Sequence, residues 1–258
     1  MLKKLFSKRP RPGKTPSASL PEGQRVYAIG DIHGRLDLLK QLVVTIEQDD
    51  AARPATQTTI LFLGDLVDRG PESAQVVSYL MDLQRRSPVG RVRLLLGNHE
   101  EVFLSAATGD EKALRFFTKI GGRETILSYG ISEERYDALD YAELLTEFQA
   151  RVPAEHTDFI SSFEDMLVLG DYVFVHAGIR PTEPLAAQKP KDLRWIREGF
   201  LDVTTPFEKV VVHGHTIVAD VEELPNRIAL DTGAYRSGKL TAMGFEADQR
   251  WVLSAIQK

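Results

Sequence analysis

Three short stretches hold the residues best suited to chemistry: Gly30-Asp31-Ile32-His33-Gly34, Gly64-Asp65-Leu66-Val67-Asp68-Arg69-Gly70 and Gly97-Asn98-His99-Glu100. Each opens on glycine and adds carboxylate, amide or imidazole, the groups that bind hard or borderline divalent cations. Histidines recur in Val175-His176-Ala177-Gly178 and His213-Gly214-His215-Thr216. Of six histidines only His156 falls outside these stretches, and it reads as a surface residue. His33, His99, His176, His213 and His215, with Asp31, Asp65 and Asn98, form a donor set without sulfur. Such a set suits manganese, iron, zinc or cobalt and is too rich in imidazole for calcium.

The donors outnumber what one ion needs, which points to two divalent ions. A carboxylate such as Asp65 can bridge two ions through its separate oxygens. Ions about 3.5–4 Å apart would hold a bridging hydroxide, acidified enough to attack at neutral pH. Two dications outweigh Asp31, Asp65 and that hydroxide by one positive charge, so an anionic substrate fits. Arg69 adds a fork of donors matched to phosphate oxygens. Phosphoryl transfer needs this combination of in-line nucleophile, charge stabilisation and an acid for the leaving oxygen.

These residues need elements that bring them to one place. Apolar runs precede each glycine: 26–29, 59–63 and 92–96 read as strands. Leu39, Leu42, Val43 and Ile46 mark a helix after the first, ended by Asp49, Asp50 and Pro54. Val76, Tyr79, Leu80 and Leu83 mark another after the second, with Pro71 at its first position and Glu72 in its first turn. The first hundred residues are therefore β-α-β-α-β, a parallel sheet with right-handed crossovers that places its loops at one edge. Residues of about 101–165 change character: 102–106, 111–120 (stopped by Gly121-Gly122), a stretch around Tyr141–Phe148 and one around Phe159–Phe163 predict a helical insertion. Beyond it, 166–169 and 172–175 form a hairpin about Gly170-Asp171, and 210–212 leads into His213. Strands at 221–224, 227–230, 239–245 and 251–255 read as an antiparallel meander. The fold class is α/β: two packed mixed sheets flanked by helices.

Composition narrows the alternatives. The 258-residue chain has the length of one large α/β domain and carries a net charge of −5. Residues 1–24 hold six basic side chains against the single acid Glu22, about +5, which leaves about −10 for 25–258. An acidic body argues against a broad nucleic-acid surface. The proline-rich basic tail of 1–24 is expected to be disordered, with 25–258 as the folded domain. There is no cysteine, which excludes disulfides and thiolate chemistry and fits a cytoplasmic protein. No run is apolar enough for stable membrane insertion.

The glycine-led stretches resemble the signatures of the metal-dependent serine/threonine protein phosphatases, within the calcineurin-like metallophosphoesterases. His176-Ala177-Gly178, Gly214-His215-Thr216 and Asp231-Thr232-Gly233-Ala234 resemble later motifs of the bacterial and phage, lambda phosphatase-like, branch. The resemblance implies that Asp31 and His33 bind one ion, that Asp65 bridges, and that Asn98, His176 and His215 bind the second. It implies that His99 is the acid, oriented by Asp68. It also implies that Arg69, Arg197 and Asn98 hold the substrate phosphate, Arg197 lying in Trp195-Ile196-Arg197-Glu198 with Arg194 as its fallback. Many members end in Gly-His-x-His; here Ile217 takes the last place, leaving the first ion three protein ligands and water. His213 and Asp231 are expected beside the ligands rather than among them, and Trp195 is expected to pack.

The leading expectation is a phosphomonoesterase, a serine/threonine protein phosphatase using manganese, with iron or zinc as other candidates. Its substrate would be a phosphoprotein or a small phosphoester, attacked by the bridging hydroxide without a phosphoenzyme. The alternative on the same centre is a diadenosine polyphosphate hydrolase; Asp68-Arg69-Gly70 weighs toward the phosphatase. A third possibility, a phosphate-binding module without turnover, is opposed by the complete donor set.

Overall fold

The computed structural model describes residues 18–257. The chain runs β1 (Gln24–Ile29), α1 (Leu36–Ala51), β2 (Gln57–Phe62), α2 (Ser73–Arg86) and β3 (Val92–Leu94). Six helices follow: α3 (Asn98–Ala107), α4 (Glu111–Ile120), α5 (Gly122–Ser128), α6 (Glu133–Ala138), α7 (Tyr141–Arg151) and α8 (Ala154–Ser161). Then come β4 (Met166–Leu169), β5 (Tyr172–Val175), α9 (Pro190–Trp195), β6 (Val210–His213), β7 (Glu222–Glu223) and β8 (Arg227–Ala229). The chain closes with α10 (Ala234–Ser237), β9 (Lys239–Glu246) and β10 (Gln249–Ile256).

The strands make two five-stranded sheets, β10-β9-β1-β2-β3 and β4-β5-β6-β8-β7. Alternation decides the layers. Tyr27, Ile29, Ile60 and Phe62 face α1, α2 and the insertion, while Val26, Ala28, Leu61 and Leu63 face the second sheet. There they meet Tyr172, Phe174, Val212 and Ile228 in a core shared by both sheets. Val173, Val175 and Val211 point to the far side, under Leu193 of α9 and Phe200.

Parallel pairing sets the site. β1, β2 and β3 end level, Ile29 opposite Phe62 and Phe62 opposite Leu94. In the second sheet β5, β6 and β8 are also parallel, with Phe174 opposite Val212 and His213 opposite Ala229. The segments following all six strands therefore emerge at carboxyl ends, where open α/β sheets bind ligands.

Several expectations change. The four last strands are not one meander: β7 and β8 belong to the second sheet, β8 lying parallel to β6, whereas the β9–β10 hairpin joins the first sheet antiparallel to β1. Alternation and turn residues mark strands; which sheet each joins is set by the α10 crossing, which has no such signature. α2 starts at Ser73, because Glu72 is held in the turn, its N–H donating to Gly34 O at 3.1 Å. α3 starts at Asn98, so the third motif opens a helix, and α5 and α6 are additional helices. His156 is buried, bracketed by Tyr129 Oη (2.9 Å) and Ser78 Oγ (3.1 Å). Of the expected tail, residues 1–17 lie outside the described residues. Ser19 and Leu20 are already held: Ser19 N–H donates to Asp171 Oδ2 (2.9 Å), and Leu20 is buried in the core between the sheets. No helix among the described residues is long and apolar enough to cross a membrane.

Candidate metal centre and active site

The loops after β1 and β2 and the turn after β6 bend through backbone conformations that side chains rarely adopt. His33, Asp65, Asp68, Arg69 and His215 all have φ between 47° and 72°. Such left-handed residues are costly outside glycine and cluster where a site must be held in one shape. The motif glycines supply room. A Cβ on Gly64 would meet the Gly97 backbone, and one on Gly214 would collide with Asp31 Oδ1.

Two groups of donors converge: His33, Asp65 and His99, and Asp65, His176 and His215, each with its donor atoms within 4.8 Å of one another. Asp65 belongs to both. Its Oδ2 lies 3.6 Å from His33 Nε2 and its Oδ1 3.4 Å from His176 Nε2. His176 Nε2 is also 3.0 Å from Asn98 Oδ1 and 3.2 Å from His215 Nδ1. The partner on the opposite ring nitrogen fixes the tautomer. His33 Nδ1–H donates to Val67 O (2.7 Å) and His176 Nδ1–H to Leu63 O (2.9 Å), so both Nε2 atoms face inward. The His176 Nε2, facing Asp65 Oδ1 and Asn98 Oδ1, calls for positive charge at that point, which a proton on His176 or a bound cation supplies. Donors each about 2.1 Å from a shared ion lie roughly 3.0–3.4 Å apart, and the distances around His176 match that edge length. The residues present therefore fit divalent ions on either side of Asp65.

Charge reinforces this. Asp31, Asp65 and Asp231 are all buried. Burial and the charges of Asp231 and Asp65 push Asp31 well above the ordinary carboxylate range. Burial alone would raise Asp65 too, but His176 and His99 outweigh it and hold Asp65 well below that range. Burial, helped by the charge on His176, lowers His215 to about 2, keeping it a neutral ligand. Burial lowers His33 to about 3 in the same way, against the pull of Asp65.

A family profile for calcineurin-like phosphoesterases matches residues 24–242. This chain belongs to the calcineurin-like phosphoesterases. It is 28% identical over 243 residues to an asymmetrical bis(5′-nucleosyl)-tetraphosphatase from Anoxybacillus flavithermus, covering 84% of this chain and 89% of that one. Among solved structures it resembles a proposed diadenosine tetraphosphatase, with TM-score 0.61 and 21% identity over 93% of this chain and 100% of that one. It also resembles a cold-active protein-tyrosine phosphatase of a psychrophilic Shewanella species, with TM-score 0.55 and 19% identity over 98% and 91% of the two chains. At those identities the structures speak for the shared fold.

The other residues expected at the site lie beside the two groups or apart from them. His99 Nδ1 lies 2.6 Å from Asp68 Oδ2, and both are buried. Burial opposes charge on His99, yet Asp65 and Asp68 together raise its pKa, as suits a proton donor. Arg69 lies between the two rings, donating to His33 Nε2 at 2.9 Å and with its other terminal nitrogen 2.9 Å from His99 Nε2. Asp31 stands outside both triads, accepting the His215 N–H (3.0 Å to Oδ2). Arg197 donates to His215 O at 3.2 Å with an otherwise exposed side chain. The fallback Arg194 is engaged elsewhere, bonded to Asp165 (2.7 Å) and near Glu101. His213 lies outside both triads, its ring edge-on to Phe200 at 5.2 Å. Asp231 Oδ1 accepts the Gly233 N–H at 2.8 Å. Trp195 donates to Glu101 (2.9 Å) and packs beside Phe116.

Two residues were missed as site residues. Glu100, fully buried, takes the N–H groups of Leu66 and Val67 on one oxygen and of Asp65 and Gly97 on the other, at 2.7–3.2 Å. It clamps the Asp65 loop to the start of α3, while burial and the Asp65 charge push it up to about 7. The Gly-Asn-His-Glu stretch carried the signal, but a glutamate in a helix's first turn is unremarkable by itself. Tyr235 stands edge-on to His33 (5.4 Å) with Arg69 over its ring (5.0 Å). An aromatic next to a motif gives no such sign in sequence.

Proposed function

We propose that this chain hydrolyses bis(5′-nucleosyl) polyphosphates, diadenosine tetraphosphate foremost, at a two-ion centre that uses manganese. The observation that supports hydrolysis at two ions is the Asp65 carboxylate shared by two histidine groups. The choice of a nucleotide rests on the likeness to the Anoxybacillus flavithermus enzyme across most of both chains. In this reading His33 and Asp31 hold one ion, Asn98, His176 and His215 the other, and Asp65 both. When bound, the ions supply an acidified water nucleophile and neutralise phosphate charge. Arg69, beside His33 and His99, and Arg197, beside His215, would grip phosphate oxygens. In the overall reaction a water oxygen would bond to phosphorus as the phosphoanhydride P–O bond breaks, the bridging oxygen leaving with the electron pair on the nucleoside polyphosphate and a water proton passing to solvent, so that a mononucleotide and a nucleoside polyphosphate result.

A second reading, hydrolysis of phosphoserine or phosphothreonine, is favoured by the Asp68–His99 pair. A serine alkoxide is a poor leaving group that needs a proton, whereas a departing phosphate hardly does. The two readings are tested with manganese on diadenosine tetraphosphate, a phosphothreonine peptide and a phosphotyrosine peptide, each repeated in excess chelator. The proposal expects chelator-sensitive cleavage with kcat/KM for the dinucleotide at least about tenfold above either peptide. A peptide preference of that size would overturn the nucleotide assignment and keep the metal centre.

A further inference from the structure

The helical insertion reaches into the centre at one point. Thr125, on α5 and fully buried, has its Oγ1 donating to Asp68 Oδ1 at 2.7 Å. The same oxygen accepts the Asp68 N–H at 2.9 Å and lies 2.9 Å from Ser73 Oγ. The other carboxylate oxygen of Asp68 is on His99 Nδ1. One residue on, the Arg69 N–H donates to Gly121 O at 2.9 Å, and a Cβ on Gly121 would meet the Arg69 side chain. Asp68 and Arg69 are both left-handed, with φ of 72° and 68°. Gly121 and Thr125 thus accept the backbone N–H groups of two successive left-handed residues, that of Asp68 shared with Ser73 Oγ at 3.0 Å, and Thr125 also donates to a carboxylate oxygen.

We infer that Thr125 is a positioning residue for the proton donor: its hydroxyl locks Asp68 so that the second oxygen holds His99 with Nε2 aimed into the cleft. Asp68 is buried, so without the hydroxyl one carboxylate oxygen loses its donor and the carboxylate is held through its bond to His99 alone. The insertion, set apart from the metal ligands in sequence, would thereby govern the acid step. This inference rests on the reading of His99 as the acid.

The test is a double-mutant cycle in the manganese-loaded full chain, read on an alkyl phosphate and on 4-nitrophenyl phosphate. Thr125→Val is expected to lower kcat on the alkyl phosphate about tenfold, with a smaller loss on the activated ester and little change in KM. Thr125→Ser is expected to restore the wild-type ratio between the two substrates. In the Thr125→Val/His99→Asn double variant the loss should be no larger than in His99→Asn alone, because both act on one step. Thr125→Ala runs in parallel and carries the comparison if the valine variant does not fold. Equal losses on both substrates, no rescue by serine, or additive losses in the cycle would overturn the role of Thr125. If His99→Asn itself loses equally on both substrates, the acid reading fails instead.

Discussion

At the scale of single residues, the centre depends on groups that touch no ion as much as on those placed to bind one. Glu100 is the sharpest case, since one carboxylate terminates four backbone N–H groups of two segments. Glu100→Gln keeps the shape but turns an NH₂ toward two of those donors. Each buried N–H left without an acceptor costs about 1–3 kcal/mol. The variant is expected to unfold at least about 2 kcal/mol more easily in urea and to bind manganese more weakly. Unchanged stability and unchanged metal affinity would remove Glu100 from this role.

The residues legible in sequence were those whose partners are near in sequence or whose type is unusual. Asp31, His33, Asp65, Asn98 and His215 stand beside motif glycines and His176 two positions before one, and glycine close to a metal-type donor is a local pattern. Glu100, Thr125 and Tyr235 are ordinary residues whose meaning lies in contacts 35 to 202 positions away, with Asp65, Asp68 and His33 respectively. His156 was misjudged for the same reason, because its burial exists only once α5 and α8 pack against α2.

At the scale of elements, the site loops are fixed by where parallel strands end, and the far end of the same sheet is held by charge. Asp50, in the last turn of α1, accepts from Arg25 (2.7 Å), Thr58 (2.7 Å) and Arg91 (2.9 Å), tying α1 to β1, β2 and the approach to β3. Arg25 is itself buried. Burial would raise the Asp50 pKa, but these donors prevail and lower it. A depressed folded-state value means that the unfolded chain binds the proton more tightly. The stabilisation is present above about pH 4 and is lost as pH falls through the lower folded-state value. Asp50→Asn is expected to cost about 1–2 kcal/mol near neutrality: Arg25 keeps Glu246 at 2.9 Å, but the charge-assisted bonds that Arg25 and Arg91 make to Asp50 are weakened. Its stability should also decline less steeply than wild type below pH 4. A parallel pH profile in the variant, followed by urea denaturation, would contradict this.

Element types were readable from periodicity, but their assembly less so. The β-α-β-α-β start follows from alternating strands and helices, since parallel neighbours need crossovers. The last four strands carry the same local turn signals whether they form one meander or serve two sheets. The division between sheets depends on long-range pairing with β1 and β6.

At the scale of the whole molecule, two sheets packed face to face bring donors from 31–33, 65–69, 98–100, 176 and 215 to one edge. Neither sheet alone completes the centre: His33, Asp65 and His99 follow strands of the first, His176 and His215 strands of the second. Asp65 is the link between them. The most direct test is a crystal grown with manganese, with anomalous diffraction recorded at the manganese edge. A two-ion centre shared through Asp65 would give two peaks per chain about 3.5–4 Å apart, one on each oxygen of Asp65. A single peak, or two that do not share Asp65, would contradict it.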